Sequence, residues 1–316
     1  MKGWEESGVT SGGTATVIGL GSMGWGAAMS LLRAGFTVKG VDIAPKVLER
    51  FNAEGGLCFA TPAEAGTSDV VFVFVVNAEQ AEEVLFGPNG AINNANPGTV
   101  FLLCVTMAPS ATVKIAKKLE DAGMAVIDAP VSGGHAKALA GEMTIMGSGS
   151  EAAFEKAAGA LDAVAAKVFR LGTEAGLGSK LKMINQLLAG VHIAAAAEAM
   201  SLAAKIGLDL KTVFEVVKVS AGSSWMFENR GPHIVEGDYT PHSAVNIFVK
   251  DLGIVTSEAE SVGGVTPLSE TALNLFRDAA LAGLGAEDDA AVAKILAKRS
   301  GIVLPGMEAN AGRAEN

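Results

Sequence analysis

Apolar residues follow two different rhythms along this chain. Up to about Gly178, short runs rich in β-branched residues alternate with segments whose apolar positions recur every three to four residues. The runs "ATVIGL", "TVKGVD", "DVVFVFVV", "TVFLLCVT", "MAVIDAP", "EMTIMGSG" and "KVFRLG" predict strands. Between them, "MGWGAAMSLLRAG", "PKVLERFNAEG", "AEQAEEVLF", "APSATVKIAKKLEDAG" and "EAAFEKAAGALDAVA" predict helices. Such alternation implies a parallel sheet covered on both faces, and the unbroken apolar run Val70 to Val76 suits a strand buried on both sides. After Gly178 the strand-like runs stop. Helical segments follow at roughly 179–206, 210–220, 244–261, 267–282 and 288–299. The expected fold is α/β: a doubly wound sheet domain over residues 14–178, then an all-helical C-terminal domain over 179–304. Tails at 1–13 and 305–316 are expected to fray.

Composition narrows the possible partners. The chain has 316 residues, 49% of them apolar and 18% charged, which is globular and long enough for two domains. A formal charge of −10 excludes nucleic acid or an anionic membrane surface as the main partner, though local donors can still hold a small anion. Cys58 and Cys104 share no metal-type spacing and read as small buried hydrophobes in a reducing cytosol. The four histidines are scattered, so no metal is expected. The first residues, "MKGWEESGVTSGG", carry no apolar signal-peptide core, and Val70 to Val76 is too short to cross a bilayer. The longer apolar run after Gln186 is broken by His192 and Glu198 and reads as a core helix. A cytoplasmic protein without a membrane partner is expected.

Candidate chemistry begins at "VIGLGSMGWGAAM". Gly19, Gly21 and Gly24 stand in G-x-G-x-x-G spacing, enclosing Leu20, Ser22 and Met23. The first glycine permits a tight turn, the second lets backbone approach a pyrophosphate, and the third lets helix pack on strand. The pattern follows a predicted strand, opens a predicted helix, and is answered by Asp42 at the end of the second strand. An acidic residue there accepts hydrogen bonds from ribose hydroxyls and repels a 2′-phosphate. The sheet domain is therefore read as Rossmann-type, with NAD as its cofactor.

A second motif lies in "DAPVSGGHAKALAGEMTIMGSG". Asp128 ends a strand, and ligands of open α/β sheets sit beyond the carboxyl ends of strands. Ser132, Gly133 and Gly134 bring a hydroxyl and closely spaced backbone N–H groups together, which is either a nest for a carboxylate or an ordinary Ser-Gly-Gly turn. His135 reads as an exposed loop residue.

The third motif is "GLGSKLKMINQLLAG". Asn185 and Gln186 lie three and four residues after Lys182, on the lysine's face of a helix, while Lys180 projects to the other side. A lysine where two domains join, beside a cleft that favours ligands, is a candidate acid/base for interconverting a hydroxyl and a carbonyl. The amide beside it can hold the reacting oxygen. The alternative is a lysine that snorkels from the helix start.

These motifs together resemble the β-hydroxyacid dehydrogenases, the family of 3-hydroxyisobutyrate dehydrogenase and tartronate semialdehyde reductase, related to 6-phosphogluconate dehydrogenase. "GLGSMG" matches the family's nucleotide fingerprint. Asp128–Gly134 with Ala138–Gly141 matches D-x-P-V-S-G-G followed by A-x-x-G. Gly176, Gly178, Lys182 and Asn185 match G-x-G-x-x-x-K-x-x-N, and Lys250 with Asp251 matches a later Lys-Asp pair.

The resemblance implies an NAD-dependent dehydrogenase acting on a small hydroxy acid. Lys182 would be the catalytic acid/base and Asn185 a substrate-orienting residue. Ser132, Gly133 and Gly134 would bind the substrate carboxylate, and Gln186 replaces a second asparagine found in some members. Thr106, Lys250 and Asn77 would line the cofactor; Val105 stands where the family has a serine before that threonine. The segments Ser223–Gly253 and Asn185–Met200 are most similar to the branch that oxidises L-threonate. From packing alone, Trp225 and Phe227 read as core anchors or as walls of the cleft. Relatives acting on 3-hydroxyisobutyrate or tartronate semialdehyde would use the same residues, and a non-catalytic dinucleotide-binding scaffold or sensor would lose the lysine. Homodimers or homotetramers are implied.

Overall fold

A computed structural model describes residues 12–308. Most of the two expected tails, residues 1–11 and 309–316, lies outside the described residues. The chain divides into two compact units, one ending at Lys182 and the other beginning at Met183.

The first unit runs β1 (Thr14–Ile18), α1 (Ser22–Arg33), β2 (Thr37–Val41), α2 (Pro45–Ala53), β3 (Leu57–Phe59), α3 (Pro62–Ala65), β4 (Val70–Val73) and α4 (Ala78–Phe86). It continues through β5 (Val100–Leu103), α5 (Pro109–Asp121), β6 (Ala125–Asp128), β7 (Val131–Ser132), α6 (Gly134–Ala140), β8 (Met143–Gly149), α7 (Glu151–Val164) and β9 (Ala165–Arg170). The strands form one sheet in the order β3-β2-β1-β4-β5-β6-β8-β7, with β9 paired to β8. Pairing is parallel from β3 through β6. Strand order reverses between β1 and β4, the switch point where open α/β sheets bind ligands.

Side chains from this sheet serve two cores, as a sheet covered on both faces requires. Val17, Phe72, Leu102 and Ile127 enter one. Ile18, Val71, Val73, Phe101 and Leu103 enter the other. Cys104 is buried, and burial pushes its thiol up. Cys58 is only half-buried, its thiol donating to the Leu48 carbonyl at 3.0 Å.

The parallel expectation fails at β8, which runs antiparallel to both β6 and β7 and parallel to β9. The cause lies in the connection. A right-handed return needs a helix that spans the sheet, whereas the seven-residue α6 is only about 10 Å long. It packs on α1 instead: a Cβ on Gly26 would come within 2.4 Å of the Ala138 backbone. The chain thus re-enters the sheet from the end it left.

The second unit comprises most of α8 (Leu177–Lys205), with α9 (Leu210–Val217), α10 (Trp225–Glu236), α11 (Val245–Ser261), α12 (Pro267–Ala279) and α13 (Val292–Ser300). Its core holds Met200, Phe227, Leu252 and Phe276, with Phe248 stacked on Phe276 at 5.3 Å. Helix α8 is long and apolar enough to cross a membrane, yet Ile193, Ala196, Ala197 and Met200 sit in the unit's own core. Helix α10 is absent from the sequence reading because it contains Pro232, which removes a donor and disfavours a helix interior. Of its two aromatics, Phe227 is buried and stacked on Phe214, while Trp225 is exposed. At the C-terminal end, Gly306 passes so close to Gly237 that a Cβ on Gly237 would stand 2.4 Å from its nitrogen.

Candidate active site

The turn between β1 and α1 does three separate jobs with three glycines. Gly19 has φ +89°, and a Cβ there would stand 2.7 Å from the Phe74 carbonyl oxygen. A Cβ on Gly24 would stand 1.9 Å from the Gly19 oxygen, so that glycine lets helix meet strand. Gly21 is different: nothing lies within 4 Å of where its Cβ would be. Its lack of a side chain satisfies no contact within the protein and leaves room for a ligand. Gly21 is also the N-cap of α1, so the helix starts without a side-chain cap. By contrast, Asn77 and Ser150 cap α4 and α7. Uncapped N–H groups at a positive helix end suit a pyrophosphate.

Asp42 is held as an acceptor beside this turn. One carboxylate oxygen accepts the Leu20 N–H at 2.8 Å and the other accepts the Ala44 N–H at 2.9 Å. Each oxygen keeps a lone pair, so the carboxylate can still receive ribose hydroxyls. Turn, uncapped helix and oriented acid fit a dinucleotide. Asn77 uses its Oδ1 to accept the Gln80 N–H at 2.8 Å. Thr106 follows β5 and is half-buried.

Ser132 ends β7, and Gly133, with φ +130°, is the N-cap of α6. Gly134 has φ +72° and opens that helix. Both angles favour glycine and bend the backbone into a tight, outward-facing turn. His135 belongs to the first turn of α6 rather than to a loop. It is exposed, and its Nδ1 lies 3.1 Å from the Ser22 carbonyl oxygen. The Ser-Gly-Gly segment and the nucleotide turn are therefore neighbours.

The sequence reading gave Asp128 no role. Its carboxylate is fully buried and gathers the start of α8. Oδ2 accepts the N–H groups of Gly176 and Ser179, each at 2.9 Å, and Oδ1 accepts the Ser179 hydroxyl at 2.8 Å. Ser179 Oγ is also 2.8 Å from Thr112 Oγ1. Burial pushes the Asp128 carboxyl up, and the donors from Ser179, Gly176 and Ser148 pull it partly back. Only Gly fits at 178, where a Cβ would come within 2.3 Å of the Met146 oxygen. These contacts fix the helix one turn before Lys182, which is buried, while Lys180 is exposed.

In the helical unit, Asn185 and Gln186 are joined to α11. Asn185 Nδ2 donates to Gln186 Oε1 at 3.0 Å, and Gln186 Nε2 donates to Asp251 Oδ2 at 2.5 Å. The other oxygen of Asp251 lies 2.6 Å from Lys250 Nζ, an ion pair. Asp251 is 2% exposed. A buried acid next to a lysine was visible in the sequence as the Lys-Asp pair, but its partner Gln186 was not.

Fold and site define a nicotinamide-dinucleotide-dependent dehydrogenase. Residues 14–172 match the NAD binding domain of 6-phosphogluconate dehydrogenase. Residues 176–296 match the NAD-binding domain of NADP-dependent 3-hydroxyisobutyrate dehydrogenase. The chain is 53% identical to L-threonate dehydrogenase of Cupriavidus necator, covering 92% of this chain and 97% of that one. A crystal structure described as 3-hydroxyisobutyrate dehydrogenase from Salmonella typhimurium is 50% identical, with TM-score 0.86 over 89% of this chain and 99% of that one. The Mycobacterium tuberculosis 3-hydroxyisobutyrate dehydrogenase with L-serine is 29% identical, with TM-score 0.78 over 90% and 99%. The chain belongs to the 3-hydroxyisobutyrate dehydrogenase-like family of β-hydroxyacid dehydrogenases, and NAD is its cofactor.

Proposed function

We propose that this chain oxidises L-threonate at the hydroxyl next to the carboxylate, giving the 2-keto acid. The 53% identity to an L-threonate dehydrogenase along nearly the whole length carries the choice of substrate. The Ser132 hydroxyl and the backbone of Gly133 and Gly134 hold the substrate carboxylate, which sets its orientation. Lys182 takes the hydroxyl proton in its uncharged form and returns it in the reverse direction. Asn185, with Gln186 beside it, orients the reacting oxygen. Gly19 to Gly24, Asp42, Asn77, Thr106 and Lys250 hold the dinucleotide. When bound, the nicotinamide accepts the hydride from the carbinol carbon. The enzyme works in the cytoplasm as a homodimer or homotetramer; exposed Leu188, Leu202 and Ile206 along α8 support association with a second copy.

A second reading, oxidation of 3-hydroxyisobutyrate, is favoured by the description of the 50% identical crystal structure. NADH formation from NAD and L-threonate, beside 3-hydroxyisobutyrate, glycerate and tartrate, separates the two. Lys182→Ala is expected to lower turnover by about 10²-fold or more. Turnover that survives this substitution removes the acid/base role from Lys182, and a preference for 3-hydroxyisobutyrate replaces the substrate.

A further inference from the structure

Asparagine and glutamine side chains can each point two ways, and only their partners decide which. In the helical unit that decision starts at Asp251. An ionised carboxylate only accepts, so the Gln186 group that faces it at 2.5 Å must be the NH2. Gln186 therefore turns its carbonyl toward Asn185, and Asn185 must present its own NH2 there, at 3.0 Å. Gln186 and Asp251 are 8% and 2% exposed, so water competes little for these contacts. Lys250 biases the start of the chain, because its positive charge lies 2.6 Å from the second Asp251 oxygen.

We propose that Asp251 is a positioning residue: acting through Gln186, it sets the direction of the Asn185 amide that faces the substrate. The inference rests on the reading of Asn185 as the residue that orients the reacting oxygen. Its charge matters more than its size. In Asp251→Asn, an NH2 placed 2.6 Å from the Lys250 ammonium would be repelled, so the new amide turns its oxygen to the lysine and its NH2 to Gln186. Gln186 must then reverse, and Asn185 must reverse in turn. The site keeps every side chain but presents the substrate with an amide facing the wrong way.

The swap of Asp251→Asn with Gln186→Glu restores the pattern. The carboxylate at 186 accepts from the amide at 251 and from Asn185, whose NH2 is again committed there. Gln186→Glu alone sets two carboxylates against each other, and like charges at this distance cannot both ionise comfortably.

The test measures kcat and KM for hydroxy acid and NAD in the full-length enzyme, using whichever acid of the panel is oxidised best. Thermal unfolding of each variant is followed in parallel. Asp251→Asn is expected to lower kcat by about 10- to 100-fold, the usual scale for a misplaced orienting group. The swap is expected to recover most of that loss, although the carboxylate at position 251 is gone in both variants. In an Asn185→Ala background, Asp251→Asn is expected to cost less than about twofold, because nothing remains for it to orient. Full activity in Asp251→Asn overturns the proposal. So does an unrescued swap, or an equal loss in the Asn185→Ala background, either of which marks a structural or Lys250-mediated role. If Asn185→Ala itself turns over like the parent, the reading of Asn185 fails and takes the relay with it.

Discussion

Asp128 accepts both the backbone N–H and the hydroxyl of Ser179, at 2.9 and 2.8 Å, from inside the sheet unit. One carboxylate thereby ties the end of β6 to the first turn of the helix that carries Lys182. Asp128→Ala would strand the N–H groups of Gly176 and Ser179 in a buried site, at about 1–3 kcal/mol each. A lower melting temperature and a reduced kcat are expected together. Asp128→Asn keeps one acceptor for the two N–H groups and can donate to the Ser179 hydroxyl, so it should lose far less in a thermal melt. Equal losses for the two variants would show that charge, rather than hydrogen bonding, holds the helix start.

The glycines of the nucleotide turn should separate cleanly. Gly21→Ala meets no protein atom within 4 Å, at a φ of −68° that alanine adopts freely. Its melting temperature should match the parent, while its affinity for NAD, measured by calorimetry, falls by about tenfold or more, or 1.4 kcal/mol. Gly24→Ala drives a methyl to 1.9 Å from the Gly19 oxygen and should fail to fold stably.

Asp42 combines a structural and a recognition role, since its oxygens hold Leu20 and Ala44. Asp42→Ala should raise the KM for NAD while improving the relative use of NADP, because the charge that repels a 2′-phosphate is gone. Steady-state kinetics with both cofactors reads this directly. An unchanged ratio would leave Asp42 with the turn alone.

Stability at acid pH should depend on Asp69. The N–H and hydroxyl of Thr14, at 2.7 and 2.9 Å, hold its carboxyl below the usual carboxylate value of 3.8. A depressed pKa stabilises the fold above the unfolded-state value, and that contribution is lost as the pH falls through the folded-state value. Asp69→Asn should therefore melt below the parent at pH 7, and the gap should close as the pH falls below 3.8. A gap of constant size down to pH 2 would contradict this linkage.

Local chemistry made much of the molecule readable. Helix α4 spans the nine residues its pattern marks, capped by Asn77, and the β1–turn–α1 unit is legible because its three glycines stand within six residues between a strand and a helix. Strand β3, of three residues, is too short to show a period. Helix α10 hides behind Pro232, whose missing donor is outweighed by packing of Met226, Phe227 and Ile234 in the helical core. Helix α6 has no place in the sequence reading because its seven residues carry one buried side chain, Ala138.

The sequence by itself determined the two rhythms and the dinucleotide turn, and it set a lysine and two amides on one helix face, because those properties depend on residues a few positions apart. Only the tertiary structure decided that β8 runs antiparallel, that Asp128 anchors the head of α8, and that Asp251 reaches Gln186 across 65 positions of sequence. A carboxylate carries no mark of its partner in the chain. Its partner is set by which donors the fold buries beside it, since a buried charge must find them or the fold pays for its desolvation.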